Sequence, residues 1–405
     1  MSLRPAWMKR YPLLARFWFY RLVRANGVGI GTLAIQWAAT SFPQPALALA
    51  YTNTLGRATQ VFTGYLAGWL SDHVPPIRLI VWSNLLAAVF TGAIAMVLRA
   101  PYRLVWLIAA VIVWNAFAVI SRAASQAIVP KISRREDLPA VNAWMSAVGP
   151  AQQFLASGMG GILLAAGLFH TFLASGLATA LSTIFLLTKK AWPLPSPRHR
   201  PLRSLTLGLS YTWSHRVLRR MVLFSSVLNF GFSFYIGEYL LYMRQTLHLG
   251  PAALGLALTA STAGTVFSLI FIPRWLPRHL LAIAAAAPAL MAIGLAILSL
   301  WQSWAGFVLG AAVIELGSGA VTQGLVLVRQ SVVPTDVMGS VSGALSMFHM
   351  VLVPAGMALA GVVAFTYGPA AAMICAAALV ASASLLALPY ARLAASSLAC
   401  GSLRP

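Results

Sequence analysis

HLLAIAAAAPALMAIGLAILSL, residues 279–300, contains no Asp, Glu, Lys or Arg. It is about as long as the roughly 20 residues an α-helix needs to cross some 30 Å of hydrocarbon. Comparable stretches recur on both sides of it. Reading outward, the apolar runs place spans at 17–40, 46–70, 78–99, 103–125, 140–166, 170–188, 219–243, 250–272, 279–300, 302–328, 338–364 and 369–389. The composition agrees: 60% of the 405 residues are hydrophobic, 8% are charged, and the mean hydropathy is +0.82. Soluble domains carry about 25% charged residues, so the sequence excludes an ordinary water-soluble fold. It predicts an all-α membrane protein with twelve transmembrane helices.

The net charge of +22 does not indicate a nucleic-acid partner, because the basic residues punctuate apolar spans and form no groove-facing stripe. The chain is acid-poor: its acids are Asp72, Glu136, Asp137, Glu238, Glu315 and Asp336. Its two cysteines, Cys375 and Cys400, offer neither a disulfide framework nor a metal-ligand spacing, and no metal or cofactor is expected. The basic, aromatic N-terminus runs into the first span without a cleavage signal. With both termini cytoplasmic, every Lys and Arg except Arg57, Arg99, Arg103 and Arg244 falls on the cytoplasmic side. That asymmetry sets the expected orientation in a cytoplasmic (inner) membrane. Arg21 and Arg24, in the opening turns of the first span, are expected to snorkel to the headgroups.

The longest polar stretch, 189–218, holds Lys189, Lys190, Arg198, Arg200 and Arg203 among several prolines. It divides the chain into an N-terminal six-span unit (1–188), a cytoplasmic linker that touches lipid heads, and a C-terminal six-span unit (219–405) with a short tail. The two halves echo each other. GYLAGWLSDHVPPIR (64–78) and GTVFSLIFIPRWLPR (264–278) hold the same relative place, as do SQAIVP (125–130) and RQSVVP (329–334). Parallel repeats about an axis along the membrane normal are a transporter architecture.

The motif Gly68-Trp-Leu-Ser-Asp72 followed by Arg78 resembles the loop between the second and third helices of the major facilitator superfamily. The stretch VPKISRREDLPAVNAWMS (129–146) is similar to the corresponding loop in the branch of enterobactin exporters and macrolide efflux proteins. The chain departs from the superfamily pattern at His73, Pro75, Pro76 and Ala156-Ser157. The resemblance implies twelve helices in two pseudo-symmetric six-helix bundles. It also implies a cytoplasmic gate of Gly68, Asp72 and Arg78, in which Asp72 meets the start of the eleventh helix. An anion gains about 0.3–1 kcal/mol there.

Depth along the spans selects the remaining candidates. Glu315 lies about 13 residues, or roughly 20 Å, from the outer end of its span, where an ionised acid is costly unless it is paired or faces a wet cavity. Arg57 and His349 fall midway along the second and eleventh spans. With Glu315 they form the expected proton-coupling or substrate group at the midplane. Asn115, Gln152, Gln153 and Asn229 share that depth and would line a polar cavity, or join helices by hydrogen bonds. Phe230, Phe232, Phe234 and Tyr235 would suit an amphipathic guest or pack the core, and Glu238 would guard the outer mouth. Gly27, Gly29 and Gly31 are expected to let helices approach closely.

No zinc motif, nucleophile elbow or P-loop is present, so no enzyme or P-loop pump is expected. The leading expectation is a monomeric secondary active transporter working by alternating access, a proton-coupled exporter of small amphipathic compounds of drug or siderophore type. Lysolipid flipping or siderophore import on the same fold is the alternative within transport. A non-transporting structural membrane subunit is the alternative outside it. Protons, the small-molecule solute and membrane lipids are the expected partners.

Overall fold

Proline marks where many of the helices begin, because its fixed φ suits the first turn and its missing N–H is not needed there. The computed structural model describes residues 11–97, 103–132, 141, 144–145, 147–187, 201–334 and 337–401. In the first half, α1 (Pro12–Ala39), α2 (Pro45–His73) and α3 (Pro76–Val97) each start at such a proline. They are followed by α4 (Arg103–Ile132), α5 (Val148–Ala166) and α6 (Leu168–Ser182). The second half holds α7 (Pro201–Ser214), α8 (Arg216–Leu241), α9 (Pro251–Leu300), α10 (Trp304–Val332), α11 (Met338–Val351), α12 (Val353–Tyr367) and α13 (Pro369–Gly401).

Among the described residues, nine segments are helical, long and apolar enough to cross a membrane. Two of them, Pro251–Trp275 and Leu281–Leu300, are the arms of α9, which bends where His279 leaves helical geometry at φ −126° and ψ 29°. One, Ser340–Tyr367, is the pair α11–α12, broken before Pro354. Helices α1, α2 and α5 stand at expected spans but fall outside the nine. They carry Arg16, Arg21 and Arg24, then Arg57 and Asp72, then Gln152 and Gln153. Large apolar side chains face outward along the helices, as lipid contact requires: Phe62 is 80% exposed and Leu300 81%.

The chain divides into two compact units. One comprises Met1–Phe42, Leu55–His199 and Gly250–Thr259; the other comprises Pro43–Thr54, Arg200–Leu249 and Ala260–Pro405. The opening turns of α2 and of α9 each belong to a different unit from the rest of their helix. The two halves share a further feature that sequence reading did not reach. Gly167, between α5 and α6, and Gly368, between α12 and α13, both take positive φ, at 119° and 88°. Each ends its helix by donating its N–H to a carbonyl of the last turn, Leu163 and Ala364 respectively. Glycine adopts this conformation without the Cβ penalty, which explains its place at both turns.

In the first unit, α1 is packed against α5 and α6 by its small residues. A Cβ on Gly27 would lie 2.7 Å from Thr179 Oγ1 and 2.9 Å from the Thr179 backbone nitrogen. The Ser175 hydroxyl donates to the Gly27 carbonyl at 2.7 Å. In the second unit, α7 lies within the stretch 189–218 that the sequence marks as a cytoplasmic linker. It packs on α11, with the Trp213 and Phe348 rings 5.9 Å apart and the Tyr211 hydroxyl directed at the Val332 carbonyl. His215 follows α7 and stacks on Tyr211, and burial pushes its pKa below the ordinary histidine value.

Gly27→Leu is expected to destabilise the protein by about 1–3 kcal/mol, because the added atoms meet backbone that cannot move aside. Gly64, whose Cβ would meet nothing within 4 Å, supplies the control: Gly64→Ala should leave stability unchanged or slightly raised. Thermal midpoints of the two variants in detergent, read by size-exclusion, check this.

Candidate functional site

Polar atoms held between apolar helices must be paired or must face a cavity, so the polar groups of each unit indicate where chemistry is available. In the first unit they are largely consumed by structure. Arg24 does not snorkel to the headgroups. Its Nε donates to Asn84 Oδ1 at 2.9 Å and its Nη2 to the Ala118 carbonyl at 3.1 Å. Asn84 in turn donates to the Tyr20 hydroxyl at 3.1 Å, and Ser121 donates to Asn84 Oδ1 at 2.9 Å. The network ties α1, α3 and α4 together. Asn115 is likewise a joint between helices: it accepts from Gln60 at 2.9 Å and donates to the Val111 carbonyl at 3.0 Å. Gln152 lies beside Gly29, and Gln152 and Gln153 are half-buried on α5. Arg57, half-buried on α2, is within electrostatic range of Arg122.

The second unit contains a cavity of about 300 Å³ between α8, the second arm of α9, α10 and α11. Its α8 wall presents Ser225, Leu228, Asn229 and Phe232, and its α10 wall presents Ser318, Thr322, Leu325 and Arg329. These positions recur every three or four residues, so each set occupies one face of its helix. Met291 closes the α9 side, and Leu345 and His349 the α11 side. His349 and Asn229 are thereby brought together as candidates, with a partner the sequence reading missed. Arg329 was assigned there to a cytoplasmic loop because it stands at the end of an apolar span; the structure keeps it in the last turn of α10, with Nε buried and without a hydrogen-bond partner. His349 Nε2 is in the same condition, and the two residues are within electrostatic range of each other.

Glu315 is not in the wall of this cavity but continues its α10 face one turn beyond Ser318. It is half-buried and accepts a hydrogen bond from the Thr265 hydroxyl of α9 at 2.8 Å. Tyr235, one turn beyond Phe232 on α8, is within electrostatic range of Glu315. The stripe between α8 and α10 therefore has an acid near one end and an arginine at the other, about 21 Å apart along α10. Of the aromatic candidates, Phe230 and Phe234 pack edge to face at 5.8 Å, and Tyr235 stacks on Phe232 at 5.5 Å. Glu238 does not line an open outer mouth. It is fully buried, and neither carboxylate oxygen has a hydrogen-bond partner. Arg78 is exposed at the start of α3. Of Gly68 and Asp72 only the helical backbone of α2 is described, and Glu136, Asp137 and Asp336 lie outside the described residues.

Residues 18–357 match the Major Facilitator Superfamily. The chain belongs to that superfamily. It is a multi-pass membrane transporter. Among solved structures, it is similar to a bacterial homologue of the iron transporter ferroportin in its inward-facing state, at 18% identity and a TM-score of 0.69, over 94% of this chain and 98% of that one. It is similar to a bacterial homologue of the human lysosomal transporter Spinster, at 14% identity and a TM-score of 0.72, covering 97% and 99%. The nucleoside transporter NupG is similar at 14% identity and a TM-score of 0.67, covering 95% and 99%. No curated protein matches the sequence significantly. At these identities the superfamily likeness establishes the fold and leaves the solute to the residues of this chain.

The Arg24–Asn84 joint gives a double-mutant test. Arg24→Met and Asn84→Leu should each lower the thermal midpoint, since each leaves a polar partner buried without its bond. The double variant should lose less than the sum of the two, with a coupling of about 0.5–3 kcal/mol.

Proposed function

We propose that the protein is a proton-coupled exporter of small amphipathic compounds, working by alternating access in the cytoplasmic membrane with both termini inside. The observation that carries this reading is the α8–α10 stripe. An acid at mid-depth, Glu315, continues the face of a largely apolar cavity with a few polar fixtures, which is the make-up of a small-molecule site. An ionisable group at that depth is rare, and one beside a cavity is by default a functional-site candidate. Glu315, bonded to Thr265, is assigned the coupling proton, and the cavity is assigned the solute. Twelve spans, with α1, α2 and α5 added to the nine apolar segments, and the excess of basic residues on one side support the orientation. Asp72 and Arg78, with Gly68 allowing close approach, are assigned the cytoplasmic gate, a bond made in one state and broken in the other.

Two similar structures are bacterial proteins described as a ferroportin homologue and a metal transporter. In this chain the cavity presents an arginine, and among the described residues no group of three or more His, Cys, Asp or Glu is placed to hold a metal ion. An organic solute suits these walls better than a bare cation.

Reconstitution in liposomes with an internal pH dye tests the coupling. Solute-dependent proton flux is expected in the wild type and is expected to vanish in Glu315→Gln with the fold intact. Flux of equal size in the variant would remove Glu315 from the mechanism.

A further inference from the structure

We propose that the second-unit cavity is an anion site. It receives the carboxylate or phosphate end of an amphipathic solute, with Arg329 as the principal contact and His349 and Asn229 beside it. The solute's movement rests on the transport reading above; its binding does not.

The polar groups of the wall are unequal. Ser225 already donates to the Met221 carbonyl at 2.7 Å, and Thr322 to the Ser318 carbonyl at 2.9 Å, so both hydroxyl protons are spent within their own helices. The polar atoms that remain in the wall include the Arg329 Nε–H donor and the His349 ring nitrogen Nε2, both buried and both without a partner. Among the described residues the wall contains no Asp or Glu to neutralise Arg329. Arg329 is half-buried, but its Nε–H is enclosed without a partner and so costs the desolvation of that donor, and the ligand that best repairs it is an oxyanion accepting from Nε and a terminal nitrogen together. The carbonyl end of α10 also favours a cation in its last turn. A guanidinium turned toward water would meet that preference equally well, so it does not account for an Nε enclosed in the cavity wall. The rest of the wall is apolar and adaptable, with Met221, Leu228, Phe232 and Met291, and fits the chain of an amphiphile. The first unit, by itself, also gathers cations: Arg122 is within electrostatic range of Arg24 and of Arg57.

The test is direct binding to the purified full chain in phosphatidylcholine nanodiscs, using four probes with straight tails of seven or eight carbons: octanoate, octyl phosphate, octyl glucoside and octyltrimethylammonium. The two anions should bind at least tenfold more tightly than the neutral or cationic probe. Arg329→Gln should weaken the anions about tenfold or more without changing octyl glucoside, and Arg329→Lys should fall between. Should Arg329→Gln fail to fold, Ser318→Asp serves instead: an acid in the wall should lose the anions and gain the cation. Repeating the titration with phosphatidylglycerol in the disc separates the sources. Weaker octanoate binding there identifies an anionic lipid headgroup as an occupant, and unchanged binding identifies a free solute; either agrees with the site. Equal or tighter binding of octyltrimethylammonium, or anion binding indifferent to Arg329→Gln, overturns it. Since no flux is measured, a failed proton-coupling assay would sink the coupling reading and leave this site standing, and the reverse holds as well.

Discussion

Hydrocarbon supplies no hydrogen bonds, and this absence governs the rest of the structure. Each backbone N–H and C=O must be satisfied within the protein, which leaves helices as the means by which these apolar segments cross. Side chains obey the same rule. Thr52, Thr91, Ser125 and Thr179 each donate to the carbonyl four residues earlier, so their hydroxyls add no unpaired donor to the interior. Arg24 is embedded among Asn84, Tyr20, Ser121 and a backbone carbonyl instead of reaching for the surface. Against that background the atoms left without partners, including those of Glu238, Arg329 and His349, are informative. Two of these three residues face a single cavity.

Helix positions were legible in the sequence because runs of about 20 apolar residues have few alternatives. The ends of spans were less so. Arg329 looks like a loop charge when only hydropathy is considered, since nothing in RQSVVP says that α10 continues through it. Arg24 looked like a snorkelling residue because its partners, Asn84 and the Ala118 carbonyl, are 60 and 94 residues away in sequence. Helix α7 was hidden by the prolines and arginines around it; its packing on α11 depends on Gly208 meeting the backbone at Ser340, a tertiary contact. Asn229 and His349 were legible as mid-depth polar residues, but not their shared wall. Glu238 was legible as an acid near a span end, and not as one enclosed by neighbouring helices. In each case the missing information was which helix face meets which.

The halves were related by two short echoes, and the matched positive-φ turns at Gly167 and Gly368 add a conformational one. Within that repeated scaffold the units differ in how they use polarity. The described polar network of the first unit is mostly closed on itself, whereas the second keeps a cavity with Arg329 in its wall. Solved relatives at 13–18% identity are named for iron, for peptide conjugates and for nucleosides, so the scaffold is shared while walls set the cargo. For this chain the proposed anion site would suit an apolar body with a negative end.

The central claim is that the cavity at the Arg329 end of the α8–α10 stripe is a water-reachable, positively biased solute site. Its most direct test is thiol reactivity at Leu325→Cys, one turn from Arg329 on the α10 wall of the cavity, in a background with Cys375 and Cys400 replaced by serine. Anionic and cationic methanethiosulfonate reagents would be compared, each normalised to its rate with a free thiol. The account predicts that the introduced cysteine reacts in membranes and that the anionic reagent is favoured, with the preference lost in Arg329→Gln. An unreactive cysteine, or one that favours the cationic reagent, would contradict it.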